Sequence, residues 1–176
     1  MEKDTTMNEL YILRHAPAVP RGSPEYPLDA DRPLTREGIA KMELIAQALA
    51  AFDLGLEFIL SSPYVRAKQT AQIAADALGL RKQLGFSEHL ASEGPPQKLI
   101  EELQRDHRTR ASVMLVGHEP YLSEFVALLM SGDPQTGLRL KKGGVCKLSL
   151  TELRFGRCAT LEWLLTPKQL TGLAGR

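Results

Sequence analysis

The chain has 176 residues, 43% apolar and 24% charged, with 22 basic against 21 acidic side chains for a formal net charge of +1. That is one ordinary domain's length, enough to bury roughly 70% of the unfolded chain's surface, and the balance excludes a disordered chain, a collagen-like fibre and a disulfide scaffold. With no basic excess to neutralise a nucleic-acid backbone, DNA and RNA are not expected as partners.

Residues 1–8 are polar, lack the apolar core of a signal peptide, and read as a flexible N-terminal extension of a single domain spanning 1–176. No apolar run approaches the roughly 18 residues of a membrane span, so a cytoplasmic protein with no membrane partner is expected. Leu10-Tyr11-Ile12-Leu13 is a dense apolar run, read as a buried strand ending at Arg14-His15. Residues 16–34 form a loop with five prolines, far longer than the about 2–6 residues usual between strand and helix. Thr35 then reads as an N-cap, and Ile39, Met42, Ile45, Ala46 and Leu49 mark the inner stripe of a helix running to Phe52.

Residues 57–61 read as a second strand. Pro63 suits the opening of the following helix, which ends near Leu78 with Gly79 as its cap. A weak strand is expected near Leu80–Leu84, then an irregular stretch over 88–96 and a helix from Gln97 to about Arg105. Ser112–Val116 is the third clear strand, closed by Gly117-His118, with a helix from Pro120 to Met130 behind it. Two strands, 144–150 and 159–165, joined by a turn near Phe155-Gly156, finish the pattern. Cys146 and Cys158 are too few for a framework or a metal site and read as small buried hydrophobes.

Strands alternating with helices imply an α/β fold. We expect a three-layer α/β/α sandwich on a mostly parallel, doubly wound sheet with an antiparallel C-terminal edge. In such sheets ligands bind at the carboxyl ends of the strands. The first strand ends in Arg14-His15, the second in Ser61-Ser62 with Arg66 one helical turn on, and the third in Gly117-His118. Two histidines and two arginines thus converge on one edge. Arginine presents a planar fork to a tetrahedral oxyanion, and histidine can attack or shuttle protons. Zinc is the rival reading, but no third ligand sits at a suitable spacing and two guanidiniums would repel a dication.

These residues match a known pattern. Leu13-Arg14-His15-Ala16 resembles the Arg-His-Gly signature of the histidine phosphatase superfamily. The stretch 61–71, with Ser62-Pro63 and Arg66-Ala67-Lys68-Gln69-Thr70, resembles its second motif, and Val116-Gly117-His118-Glu119-Pro120 its third. Arg32-Pro33-Leu34-Thr35 is similar to the loop of the compact SixA-type branch. The resemblance implies a metal-independent phosphatase without a cofactor. In it His15 is the nucleophile that forms a phosphohistidine, and Arg14, Arg66 and His118 grip the phosphoryl oxygens. Glu88 is the expected proton donor, with Glu93 second, and Arg32 is an extra phosphate contact. Ala16 departs from the signature glycine and argues mildly against the mutases.

By the resemblance, the favoured substrate is phosphohistidine on a protein such as a histidine phosphotransfer domain; a short chain that leaves no room for large lids supports this, and a monomer is expected. A sugar or nucleotide phosphomonoesterase of the same superfamily is the first alternative, and a non-catalytic phosphate-dependent binding module the second. His89 and His107 carry no motif and read as surface or loop histidines. Lys141-Lys142 reads as a solvated loop edge rather than a phosphate-binding patch.

Overall fold

In the computed structural model, which describes residues 7–91 and 93–174, Leu10, Tyr11, Ile12 and Leu13 are all buried. They form most of β1 (Glu9–Arg14). Leu10 and Ile12 face one apolar core, while Tyr11 and Leu13 face a second on the other side of the sheet. A strand covered on both faces reads as an unbroken apolar run rather than an alternating one.

The remaining strands are β2 (Phe58–Ser61), β3 (Leu84–Phe86), β4 (Ser112–Gly117), β5 (Val145–Leu150) and β6 (Ala159–Leu165). Among the described residues they form one sheet in the order β3-β2-β4-β1-β5-β6. β1 to β4 run parallel, and β5 and β6 add the antiparallel edge. The helices are α1 (Arg36–Ala51), α2 (Val65–Ala77), α3 (Pro96–Asp106), α4 (Tyr121–Ser131) and α5 (Pro167–Leu173). The architecture is the mostly parallel α/β sheet expected, with an antiparallel C-terminal edge. Side chains of α3 and α4 fill one core, and those of α1, α2 and α5 fill the other.

Local chemistry accounts for the element ends. The Thr35 hydroxyl accepts from the Gly38 N–H at 3.0 Å and caps α1. A Cβ on Gly38 would lie 1.9 Å from the Pro17 carbonyl oxygen, so only glycine lets the loop pass over the first turn. In α2, Ala67, Ala71, Ala74 and Ala75 are all buried, and their small size brings the helix close to the sheet.

Some expectations shift. The weak strand placed at 80–84 is a 3-10 turn over Arg81–Gln83 followed by β3, because Leu80 packs into the core from a turn. Pro63 lies two residues ahead of α2 rather than at its first turn. α5 was not foreseen, although Thr166, Pro167 and Gln169 form a complete capping box. Residues 1–6 of the expected extension lie outside the described residues. Its last two are part of the fold: Met7 is buried in the core and the Asn8 N–H donates to the Ala111 carbonyl at 3.0 Å. Among the described residues no helix is long and apolar enough to cross a membrane.

Candidate active site

β1 and β4 are neighbours, and the ladder pairs Arg14 with Gly117. The next residue on each strand is a histidine, so the two rings are brought together by register alone. The His15 N–H donates to the Gly117 carbonyl at 3.0 Å, and the ring centroids lie 5.2 Å apart. Both rings are buried, at 6% and 2% exposure.

The His15 ring has a fixed tautomer. Its Nδ1 lies 2.7 Å from the Ala16 carbonyl oxygen, which can only accept, so Nδ1 carries the proton and Nε2 keeps its lone pair. Burial, reinforced by the charges of Arg66, Arg14 and Lys142, pushes the His15 pKa down to about 3. The ring is therefore neutral at physiological pH and Nε2 is available as a nucleophile. Ala16 itself is fully buried and not at a positive φ, so its methyl costs no backbone strain where the signature has glycine.

His118 is oriented by the strand on its other side. The Ser62 N–H donates to the Val116 carbonyl, which places the Ser62 hydroxyl 2.8 Å from His118 Nε2. That hydroxyl oxygen accepts from the Tyr64 N–H at 3.3 Å. In the tautomer where this hydroxyl donates its proton to Nε2, Nδ1 of His118 is an N–H donor, and that atom is buried without a partner. Burial and the neighbouring Arg66 and His15 push the His118 pKa down to about 2. Tyr64 covers the outer side of the ring, 5.0 Å between centroids.

The arginines meet at a residue to which the sequence reading assigned no role. Arg66, 1% exposed, donates to the Asp29 carbonyl at 2.6 Å and to its carboxylate at 2.8 Å. Arg32 donates to the other carboxylate oxygen from Nε at 3.0 Å and from a terminal nitrogen at 2.6 Å, and also reaches the Val19 carbonyl. Arg21 adds a third pairing at 3.0 Å. Burial alone would raise the Asp29 pKa, but Arg32 and Arg66 hold it down to about 2. Arg14 is anchored by a 2.9 Å bond to the Leu140 carbonyl, and burial lowers its pKa against the opposing charge of Glu119.

The long loop is fastened by one face of α2. Thr70 accepts from the Ala16 N–H at 3.1 Å, Gln69 accepts from the Leu34 N–H at 2.7 Å, and Arg66 holds Asp29 between them. Ala18 and Leu34 close the base with an isolated bridge. Gln69 and Thr70 thus tie down both ends of the 16–34 loop, while Arg66 holds its middle.

Nε of Arg14, Nε of Arg66 and Nδ1 of His118 are all buried without hydrogen-bond partners. Buried donors left unpaired are costly, and three on the residues that flank His15 mark a place for an anion. Beside it opens a hollow of about 330 Å³ lined by Arg21, Tyr26, Asp29, Arg32, Tyr64 and Glu93. Glu88 opens the 3-10 turn after β3; it and Glu93 are both exposed, and Glu93 stands in the wall of this hollow. Among the described residues no group of three or more His, Cys, Asp or Glu side chains is arranged to hold a metal ion. His107, expected at the surface or in a loop, follows the end of α3 but is only 8% exposed, and its ring packs 4.6 Å from that of Phe58.

Asp29, Ser62 and Thr70 acquire their places only in the tertiary structure. The signal for the last two was present in the motif around residues 61–71, where only Arg66 was assigned a role. Asp29 lies in a loop without periodicity, six residues before the Thr35 cap.

Residues 10–91 match the sequence pattern of the histidine phosphatase superfamily (branch 1). An uncharacterised protein of Picosynechococcus is 39% identical over 142 residues, covering 80% of this chain and 84% of its own. The phosphohistidine phosphatase SixA of Escherichia coli is 28% identical over 163 residues, covering 92% of this chain and 96% of its own. A solved structure of the protein histidine phosphatase SixA bound to tungstate superposes with a TM-score of 0.79 at 28% identity, over 92% of this chain and 99% of that one.

Proposed function

The chain belongs to the histidine phosphatase superfamily and is a phosphatase by that kinship, and we propose that its substrate is phosphohistidine carried on a protein. His15 Nε2 attacks phosphorus, and the bond from phosphorus to the carrier's imidazole nitrogen breaks. Water then attacks the phosphohistidine, the P–Nε2 bond breaks, and inorganic phosphate leaves with His15 restored. The observation that carries this reading is the set of unpaired buried donors on Arg14, Arg66 and His118 around a neutral, aimed His15.

Each group acts where charge develops. Arg14 Nε, Arg66 Nε and His118 Nδ1 donate to the non-bridging oxygens, and phosphoryl transfer depends chiefly on such positioning and charge stabilisation, here supplied by the chain's own residues without a metal. Arg32 supports the clamp through Asp29 rather than by direct contact. Glu93, in the wall of the hollow, is better placed than Glu88, which does not line it, to hand a proton to the leaving group. Similarity to SixA over nearly the whole of both chains favours a protein-bound substrate.

The test compares wild type with His15→Ala on a phosphorylated histidine phosphotransfer protein and on para-nitrophenyl phosphate. Phosphate release from the protein, lost by about 10⁴-fold or more in His15→Ala, is the expected result. Turnover of the ester alone would reassign the substrate to a small phosphomonoester. Binding without turnover of either would make the chain a phosphate-dependent binding module.

A further inference from the structure

Lys141 and Lys142 are adjacent in sequence and both exposed, yet the fold treats their turn unlike an ordinary solvated edge. The Gly143 N–H donates to the carbonyls of both Arg14 (3.0 Å) and His15 (3.2 Å). Arg14 returns a hydrogen bond from its N–H to the Gly144 carbonyl at 3.1 Å, and its guanidinium holds the Leu140 carbonyl. The turn at 140–144 is therefore stapled to the two residues that begin the active site. Gly143 can form it because its φ is +78°, and a Cβ there would lie 2.8 Å from Ile45.

We propose that Lys142 is a further ligand of the phosphoryl group beside Arg14, Arg66 and His118, contacting a non-bridging oxygen with its ammonium. This deepens the phosphatase reading and rests on it. Three observations converge. The residue immediately after Lys142 is bonded to the His15 carbonyl, so the Lys142 backbone is held within one residue of a direct bond to the nucleophile's backbone, and its side chain springs from there. Its charge acts on His15, and its own protonation is weakened by burial and by Arg14, Arg32 and Arg66. Among the described residues it has no carboxylate partner, whereas Arg21, Arg32 and Arg66 share Asp29.

A lysine set against three arginines without a counter-ion is repelled in the free protein and gains that energy back when an anion arrives. A phosphoryl group with two negative charges is the ligand chemistry that such a surplus fits. The substrate's acidic carrier surface would reach Lys142 only from outside, where the exposed Lys141 would serve equally well. Comparing the two lysines therefore separates a built contact from a general positive field.

Inorganic phosphate binding, measured by calorimetry, needs no turnover and so reads this inference apart from catalysis. Lys142→Gln should weaken phosphate by about tenfold, the loss of one hydrogen bond to a charged group. Lys141→Gln should leave it within about twofold, and Lys142→Arg should restore most of the affinity. The dependence of affinity on salt should fall in Lys142→Gln alone. Equal binding by wild type and Lys142→Gln, or equal losses from the two lysines, overturns the assignment while leaving the phosphatase reading intact. Absence of phosphate binding by wild type would overturn both.

Discussion

The candidate active site has two halves built by different means. On the strand side, His15, Ser62 and His118 take their places from ladder hydrogen bonds: His15 N–H to Gly117, Ser62 N–H to Val116, and the β1–β4 register between them. On the loop side, Asp29 and Arg32 lie in a connection whose only regular structure is one 3-10 turn and one isolated bridge. They are held by side chains, through Arg66, Gln69 and Thr70 of α2. The strand half is fixed because the His15 and Ser62 backbone donors are already committed to carbonyls of β4. The loop half depends on charge, since a single carboxylate gathers three guanidiniums, and its geometry follows whichever of those charges is present.

Removing the residue that joins the two halves should produce the largest effect. Arg66→Ala deletes both the buried Nε donor and the loop's anchor at Asp29, and kcat/KM on para-nitrophenyl phosphate should fall by about 10³-fold. Arg66→Lys should recover little, because an ammonium cannot hold Asp29 bidentately while keeping a donor for phosphate. Full activity in Arg66→Lys would show that the fork is not needed. Asp29→Asn keeps the shape but removes the charge that gathers the arginines. KM should rise about tenfold with a smaller change in kcat, because Arg66 keeps its place in α2 but loses its orientation. A fall in KM would show instead that the carboxylate competes with phosphate for Arg66.

Ser62→Ala tests the strand half alone. It frees His118 Nε2 from its donor, lets the proton move off Nδ1, and should reduce kcat about fivefold with KM for substrate little changed. A change as large as that of Arg66→Ala would mean that the halves are not separable.

Acid should distinguish the halves with the smallest perturbation of all. Both histidines have folded pKa values below the ordinary 6.5, at about 3 for His15 and about 2 for His118. Depressed values of this kind favour the neutral ring in the folded state, so the stability they contribute is complete above about pH 6.5. It is lost as the pH falls from there toward 3 and then 2, with a slope approaching about 1.4 kcal/mol per pH unit for each ring. Asp29, held down from 3.8 to about 2, contributes only above its ordinary value and is lost in the lower window alone. Ring resonances followed by NMR should show no titration of either histidine between pH 8 and 5. A midpoint near 6.5 for either would contradict the buried, neutral strand half.

By itself the sequence determined the order of the strands and of every helix but α5, the open edge on which the motifs meet, and the candidates Arg14, His15, Arg66 and His118. Each of these sits at or just beyond the end of a strand with an apolar pattern, so its position follows from local periodicity and a general rule for parallel sheets. Only the tertiary structure decided the rest. Leu80 packs from a turn rather than a strand, because burial does not require an extended backbone. Ala16 proved to be the group that fixes the His15 tautomer, through a carbonyl that no side-chain pattern reveals. Asp29 differs from other charges in the chain only in what lies across from it. The physical reason is one of range. Periodicity and capping act within a few residues and leave a mark in the chain, whereas the charge on Asp29 meets Arg66 across 37 positions and is specified by neither neighbourhood.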